Sequence, residues 1–341
     1  MLTVVRHADR WRPAVRALNQ RVKLKEGFGF FEDPTPAWLP PREGAAVFQE
    51  YFVAVESDGT ARGGYVLKHE RVLLRGTPES AACVRGPYSE GAVDGRQGHV
   101  VFAMIRDMVA RQPHLYGWGL ERRAATIVKL FRSFGWKSHA TPFFIWVGLP
   151  FAGRAPSSGV GEFERCDNLA GFLAAADTVW ERDAARYAFV SCRDGKTLAD
   201  SFQSNPSVGS RLIMRNHGRV LGWASVAVGR VRQHRVLRSV PVGVIWDYFG
   251  APEHAMAIVT AAHRYLIRAG AGVVLASACH ADWIDAFRQR RFRTMSRSRH
   301  FLVSPALAAQ LAPFERQASA CFLTFADGEG EHGTLGRAMF G

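Results

Sequence analysis

Apolar residues repeat one arrangement twice along the chain: a strand pair, a turn, an amphipathic helix, an apolar strand and a final helix. Within residues 95–112, Met104, Ile105 and Met108 recur at spacings of three and four, which predicts one buried helical face. Residues 251–270 repeat this periodicity in the second half. The repetition indicates two related units, and it makes the turn before the first helix the leading candidate for a binding site.

The segments before these helices are rich in β-branched and aromatic residues. Residues 46–56 and 63–74 flank a turn at Asp58 and Gly59, which predicts an antiparallel hairpin. Residues 211–229 predict the corresponding hairpin of the second half. Each unit is therefore expected to contain a mostly antiparallel sheet.

The first half is predicted to close on a strand at residues 140–150. Residues 151–163 then concentrate Gly, Ser and Pro, which predicts a linker between a first unit at 1–150 and a second at 164–341. A chain of 341 residues is long enough for two such cores. The predicted fold class is α/β in the α+β sense, with two tandem domains, each a mixed sheet flanked by helices.

Composition narrows the class of protein. The 44 Lys and Arg residues against 30 Asp and Glu give a net charge of +14, which attracts phosphates of coenzymes, nucleic acids or lipid surfaces without choosing among them. The five cysteines are dispersed without a CxxC pair, which favours a reduced, cytoplasmic setting. The twelve histidines form no HExxH motif, so no metal is expected. No apolar stretch is long enough to cross a membrane, and charges come too early for a signal peptide.

The repeated unit resembles the GNAT superfamily of acyl-CoA-dependent N-acyltransferases, because a central strand leads through a turn into a helix, and the next helix ends in "GW" or "RF". In that family, backbone N–H groups of the turn hold the coenzyme pyrophosphate at a helix N-terminus. The residues that match this turn are Gly95, Arg96, Gln97, Gly98, His99 and Val100. The resemblance implies acetyl-CoA or a longer acyl-CoA as co-substrate. Val100 replaces the second glycine of the motif, and its side chain is expected to crowd the phosphate path.

The second turn departs further from the family pattern. It carries Pro252 and Glu253, and a carboxylate facing a pyrophosphate is unfavourable, so this coenzyme site is expected to be degenerate. The family often places a tyrosine near the last helix to protonate the departing thiolate. Phe131 and Phe287 stand near those positions here, so the resemblance supplies no general acid.

A base is needed to take a proton from an attacking amine. Glu90, at the end of the strand before the turn, is the first candidate, and Tyr116 and Glu121, on or just beyond the next strand, are weaker ones. A solvated surface carboxylate is the alternative interpretation of Glu90.

Four residues of the second half are predicted to line an acceptor cleft, because each follows or ends a predicted strand. They are Asp247, Tyr248, His280 and Asp282. Helix capping and hydrogen bonding at strand ends are the alternative interpretations.

The whole layout is similar to tandem-GNAT proteins, including the FemAB-like branch that bacteria use in polysaccharide and cell-envelope biosynthesis; "GWKSHATPFF", "SCRDGKTLADSF" and "CFLTFADGEGE" prompt this comparison. It implies transfer of an acyl group from acyl-CoA to a primary amine of a small molecule or envelope precursor. One alternative is an aminoacyl-tRNA-dependent transferase, whose partner suits the basic run "RQRRFRTMSRSR". Another is a binding protein whose acyltransferase sites have decayed. The sequence indicates no oligomeric state.

Overall fold

The computed structural model describes residues 1–22, 29–120, 125–148, 162–204, 209–230, 240–295 and 299–328. The helices are α1 (Arg12–Val22), α2 (Gly98–Arg111), α3 (Ala125–Ser133), α4 (Leu169–Asp183), α5 (Gly195–Ser204), α6 (Ala255–Arg268), α7 (Ala281–Gln289), α8 (Pro305–Gln310) and α9 (Phe314–Gln317). The strands are β1 (Leu2–Arg6), β2 (Val47–Glu56), β3 (Ala61–Leu74), β4 (Thr77–Ser89), β5 (Leu115–Leu120), β6 (Lys137–Thr141), β7 (Phe143–Val147), β8 (Glu162–Arg165), β9 (Phe189–Ser191), β10 (Ser210–Asn216), β11 (Arg219–Arg230), β12 (Pro241–Gly250), β13 (Val273–Ser277), β14 (Arg293–Thr294), β15 (Arg299–Val303) and β16 (Cys321–Phe322).

The strands form two mixed sheets with matching layouts. The first runs β1-β2-β3-β4-β5-β15-β6, with β9 beside β3 and β16 beside β9, and the second runs β14-β7-β13-β12-β11-β10-β8. One central pair in each sheet is parallel, β4 with β5 and β12 with β13, whereas the strands before it are antiparallel. Helix α2 follows β4 and α6 follows β12. The predicted fold class, two mixed sheets flanked by helices, is confirmed.

The two halves exchange one strand each. Strand β7, from the first half, lies between β13 and β14, while β15, from the second half, lies between β5 and β6. The single strand predicted at 140–150 is therefore wrong: β6 and β7 lie in different sheets and are separated by Pro142, which cannot donate a ladder hydrogen bond. Each sheet therefore includes one strand that comes from the other half of the chain.

The division of the chain at 151–163 stays a prediction. Residues 151–161 of that linker lie outside the described residues, and β8 begins at Glu162. Because β7 and β15 each lie in the sheet of the opposite half, both sheets contain residues from both sides of this predicted boundary.

The two faces of the first sheet have different neighbours. Side chains such as Leu67 and Val84 pack beneath Met104 of α2, on one face. Val66, on the other face, packs with Leu18 of α1. On this second face, Cys83 and Tyr116 pack with Leu307 and Leu323 of the second half. The surface between the halves is thus the one opposite α2.

Candidate functional site

Strands β4 and β5 separate soon after they meet. Ala82 lies opposite Leu115 and Cys83 opposite Tyr116, and these are the two parallel pairs that join the strands. Strand β4 continues beyond them to Ser89 without a further described β5 partner. The carboxyl ends of the two strands therefore border a gap in the first sheet.

The turn after β4 leads to the N-terminus of α2. The Asp94 carboxylate accepts a hydrogen bond from the Arg96 backbone N–H at 3.1 Å and pairs with the Arg96 guanidinium at 2.9 Å. A Cβ atom added at Gly95 or Gly98 meets no described atom within 4 Å. The first turn of α2 has no acidic residue, and Gln97 before it makes no capping hydrogen bond with described residues. The partial positive charge of this helix end is thus accessible to an anion.

Val100 does not crowd this turn. Its side chain is fully buried in the cluster between α2 and the sheet, with Leu67 and Val84. The expectation of a blocked phosphate path is therefore wrong, because Val100, the third residue of α2, points into the core. His99 and Arg96 remain exposed beside the turn.

Glu90 joins three elements of the first half. Its carboxylate accepts hydrogen bonds from Arg21 of α1 at 3.0 Å and from Arg62 of β3 at 3.1 Å. Burial acts to raise the pKa of Glu90, but the hydrogen bonds and charges of the two arginines outweigh it and lower that pKa. A carboxylate held in its ionised form by two arginines is a weak base, so this contact favours a structural role.

The corresponding gap in the second sheet is cross-linked by aromatic side chains. Strands β12 and β13 are paired only from Val242 to Val244 on β12. Beyond them, the Tyr248 hydroxyl donates to the Ser277 carbonyl at 2.7 Å, from one strand to the other. The Tyr187 hydroxyl donates to the carbonyl oxygen at the end of β12 at 2.6 Å, and the Trp283 indole donates to Tyr187 at 2.9 Å. Hydrogen bonds of protein side chains therefore bridge this gap.

The second turn is also poor in anion donors. Pro252 has no N–H, and the Glu253 carboxylate pairs with Arg186 at 2.6 Å. His280 caps α7 by accepting the Asp282 N–H at 3.2 Å, and burial lowers the pKa of His280. His280 and Asp282 thus border a groove at this turn. An acceptor cleft lined by these two residues would therefore lie at the second turn and not beside the gap of the first sheet.

A small cavity of about 40 Å³ lies between the two halves. Charged side chains from both sheets line it, and all are less than 9% exposed. They are Lys68, Glu70, Arg193, Asp247 and Asp327. A cavity with so many buried charges is suited to a polar or charged ligand group.

Arg193 is shared by two carboxylates in this cavity. Its Nε donates to Asp247 Oδ1 at 3.1 Å and its Nη2 to Asp327 Oδ2 at 2.6 Å. Lys68 pairs separately with Glu70 at 3.3 Å. When Arg193, Asp247 and Asp327 are all ionised, the three side chains together carry an excess negative charge. Burial raises the pKa of Asp247; Arg193 acts against this shift and Asp327 adds to it. Asp247 is thus suited to hold a proton.

The other predicted catalytic residues lie outside the cavity wall. The Tyr116 hydroxyl donates to Glu70 from behind, and burial raises the pKa of Tyr116 well above its usual value. Tyr248 points instead into the aromatic cluster of the second half. Glu121 lies outside the described residues. Of the predicted acceptor residues, the structure brings Asp247 alone to this cavity among those described.

The segment that follows β16 lies against the face of the first sheet opposite α2. Trp118 of β5 donates to the Thr324 carbonyl at 2.5 Å, Lys68 to the Ala326 carbonyl at 3.1 Å and Arg85 of β4 to the Gly328 carbonyl at 3.0 Å. Side chains on three neighbouring strands thus hold one segment, and this places Asp327 in the cavity. Sequence reasoning used this segment only for the family resemblance and assigned no site role to Asp327, Lys68 or Glu70. Two charges within an apolar strand were a usable signal for Lys68 and Glu70.

Several solved structures align with most of this chain. A GCN5-related glucosamine N-acetyltransferase region of a fungal multi-domain GH3 β-N-acetylglucosaminidase aligns with a TM-score of 0.56 and 13% identity over 89% of this chain, which spans 38% of that one. A probable N-acyltransferase from Enterococcus faecalis V583 aligns with a TM-score of 0.57 and 11% identity, over 91% of this chain and 74% of that one. Saccharomyces cerevisiae N-myristoyltransferase with bound myristoyl-CoA aligns with a TM-score of 0.52 and 9% identity, over 89% of this chain and 80% of that one. The chain has the GNAT fold, as its sequence predicts.

No family model and no curated protein matches the sequence. In the described part of the chain, no helix has the length and apolar character needed to span a membrane. The described His, Cys, Asp and Glu residues form no group of three or more that could hold a metal ion.

Proposed function

We propose that this protein is an N-acyltransferase that moves an acyl group from acyl-CoA to a primary amine, with one active and one supporting half. The observation that carries the proposal is the difference between the two gaps: the first adjoins an accessible helix N-terminus, and the second is cross-linked by Tyr187, Tyr248 and Trp283. Acyl-CoA binding by a structure of the same fold supports the choice of donor.

In this proposal the coenzyme pyrophosphate binds at the N-terminus of α2, where it accepts the His99 N–H, while the Gly98 N–H stays bonded to the Gly95 carbonyl. Arg96 exchanges Asp94 for a phosphate oxygen. The helix end and the guanidinium both favour negative charge there. The coenzyme arm then enters the gap between β4 and β5, where β4 continues beyond Cys83 without a described β5 partner. This places the thioester near the buried face of the first sheet.

The amine is proposed to reach the cavity between the halves as an ammonium ion. Asp247 takes one proton from it, because the shared Arg193 leaves an excess negative charge that a cation or proton neutralises. The free amine attacks the thioester carbon, a C–N bond forms and the C–S bond breaks. Of the two protons left on the amine, one passes to the departing thiolate and the other stays on the amide nitrogen, so the products are an amide and free CoA.

The acceptor is proposed to be a small molecule or an envelope precursor that presents its amine on a narrow end, since the cavity holds about 40 Å³. The proposed site of action is the cytoplasm. The five cysteines are free and four of them are buried, which suits a reducing compartment.

An aminoacyl-tRNA-dependent transferase is the second candidate, and a group of three neighbouring arginines favours it. Arg290 is half-buried with Arg264 and Arg291 as its charged neighbours; burial and these two charges lower the pKa of Arg290. Such a group attracts polyanions. Binding of tRNA would weaken steeply with salt, whereas one coenzyme contacts few phosphates and gives a shallow salt dependence.

The test is an assay of the purified protein with acetyl-CoA and longer acyl-CoAs against a panel of primary amines, followed by thiol release and product mass. We expect stoichiometric amide and free CoA. Coenzyme binding without product across the panel would identify a decayed binding protein instead. Turnover only with aminoacyl-tRNA would identify the second candidate.

A further inference from the structure

A second, apolar cavity of about 110 Å³ lies between the end of β4 and helix α1. Its wall includes Leu18, Val22, Phe30, Pro87 and Tyr88. It is on the face of the first sheet opposite α2, the same face as the cavity between the halves. No step of the proposed reaction described above uses it.

Two polar side chains in this wall, Asn19 and Ser89, are already bound to backbone. Asn19 donates to the Phe30 carbonyl and accepts from the Phe30 N–H, both at 2.8 Å. The Ser89 hydroxyl accepts from the Gly91 N–H at 3.1 Å. The surface left for a ligand is therefore apolar, and a hydrocarbon group suits it better than a polar one.

The cavity lies where the donor's acyl end is expected, which is why this inference rests on the proposed function. Pro87, Tyr88 and Ser89 belong to the part of β4 that borders the gap, between the last pair at Cys83 and the turn at Gly95. A coenzyme arm that enters this gap from the α2 face brings its thioester to the face that α1 covers. The chain beyond the carbonyl then meets this wall.

We propose that the cavity binds the acyl chain of the donor and restricts it to a short hydrocarbon. A cavity of about 150 Å³ accommodates benzene, or about 25 Å³ per carbon, so this one holds about four carbons. A myristoyl chain would need roughly 350 Å³ on the same scale. The donor is therefore butyryl-CoA or a close homologue.

The experiment measures kcat/KM for acetyl-, butyryl-, hexanoyl-, octanoyl- and myristoyl-CoA with one amine. Each buried methylene should raise kcat/KM about fourfold, so butyryl-CoA should exceed acetyl-CoA by about 15-fold. Values should fall beyond hexanoyl-CoA, and myristoyl-CoA should give no turnover.

Val22→Phe fills the cavity from α1 and should lower kcat/KM for butyryl-CoA about tenfold while leaving acetyl-CoA within about twofold. Val147→Phe is the matched control, because Val147 is 55% exposed on β7 and is not part of this wall. It should leave the chain-length profile unchanged.

The outcomes separate this inference from the proposed function. Equal turnover for all chain lengths, or a maximum at octanoyl- or myristoyl-CoA, would overturn the chain-length inference and leave the acyltransferase proposal standing. Absence of product with every donor would reject the proposed function itself. The unsubstituted protein decides between these results even if Val22→Phe fails to fold.

Discussion

Gly98→Glu is expected to weaken acyl-CoA binding about a hundredfold, which corresponds to about 2.8 kcal/mol. Gly98 begins α2 with φ −56° and ψ −31°, which any residue adopts, and an added Cβ meets no described atom within 4 Å. The substitution therefore acts through charge. Two like charges about 5 Å apart at an effective dielectric constant of about 20 repel by about 3 kcal/mol. Isothermal titration with CoA and acyl-CoA measures the loss.

Gly98→Gln is the matched control, since it adds a side chain of the same size without the charge. It should bind acyl-CoA within about threefold of the unsubstituted protein. Equal affinities for the Glu and Gln variants would show that no phosphate lies at this turn. Thermal unfolding of both variants checks that the fold is retained.

Asp247→Asn is expected to lower kcat/KM about 100- to 10,000-fold, the usual contribution of a general base. The amide keeps the shape of the carboxylate but cannot take the proton of the amine. In the unsubstituted protein, activity requires ionised Asp247, so it should fall as pH drops through the pKa of that residue, which burial raises above the usual value. The variant should lack this acidic limb of the pH profile.

Asp183→Asn supplies the control for loss of a buried, arginine-paired carboxylate. Asp183 is 1% exposed and pairs with Arg182 at 2.6 Å in the second half, outside the wall of the cavity. It should retain the pH profile even if stability falls. Turnover by Asp247→Asn near that of the unsubstituted protein, with the acidic limb intact, would remove Asp247 from the mechanism.

Local periodicity predicted much of the fold. The spacing of Met104, Ile105 and Met108 is enough to place α2 against a sheet, and the alternation of 46–56 and 63–74 predicted β2 and β3. The exchange of β7 and β15 was not predictable in this way, because a strand's own pattern does not specify which sheet accepts it. Pairing between residues far apart in sequence decides that.

The same distinction applies to the site. The turn at 95–100 was found because its residues are contiguous, and Asp247 because it lies in a strand that leads to a turn. The contact of Glu90 with Arg21, 69 residues away, could not be read from local sequence. Neither could Asp327, which reaches the cavity because three strands hold the carbonyls of its segment.

A crystal structure of the protein with CoA bound tests most directly which half binds the coenzyme. The proposal predicts the pyrophosphate at the N-terminus of α2, within hydrogen-bond distance of the His99 N–H, and the pantetheine arm between β4 and β5. A pyrophosphate at the N-terminus of α6, beside Pro252 and Glu253, would contradict it.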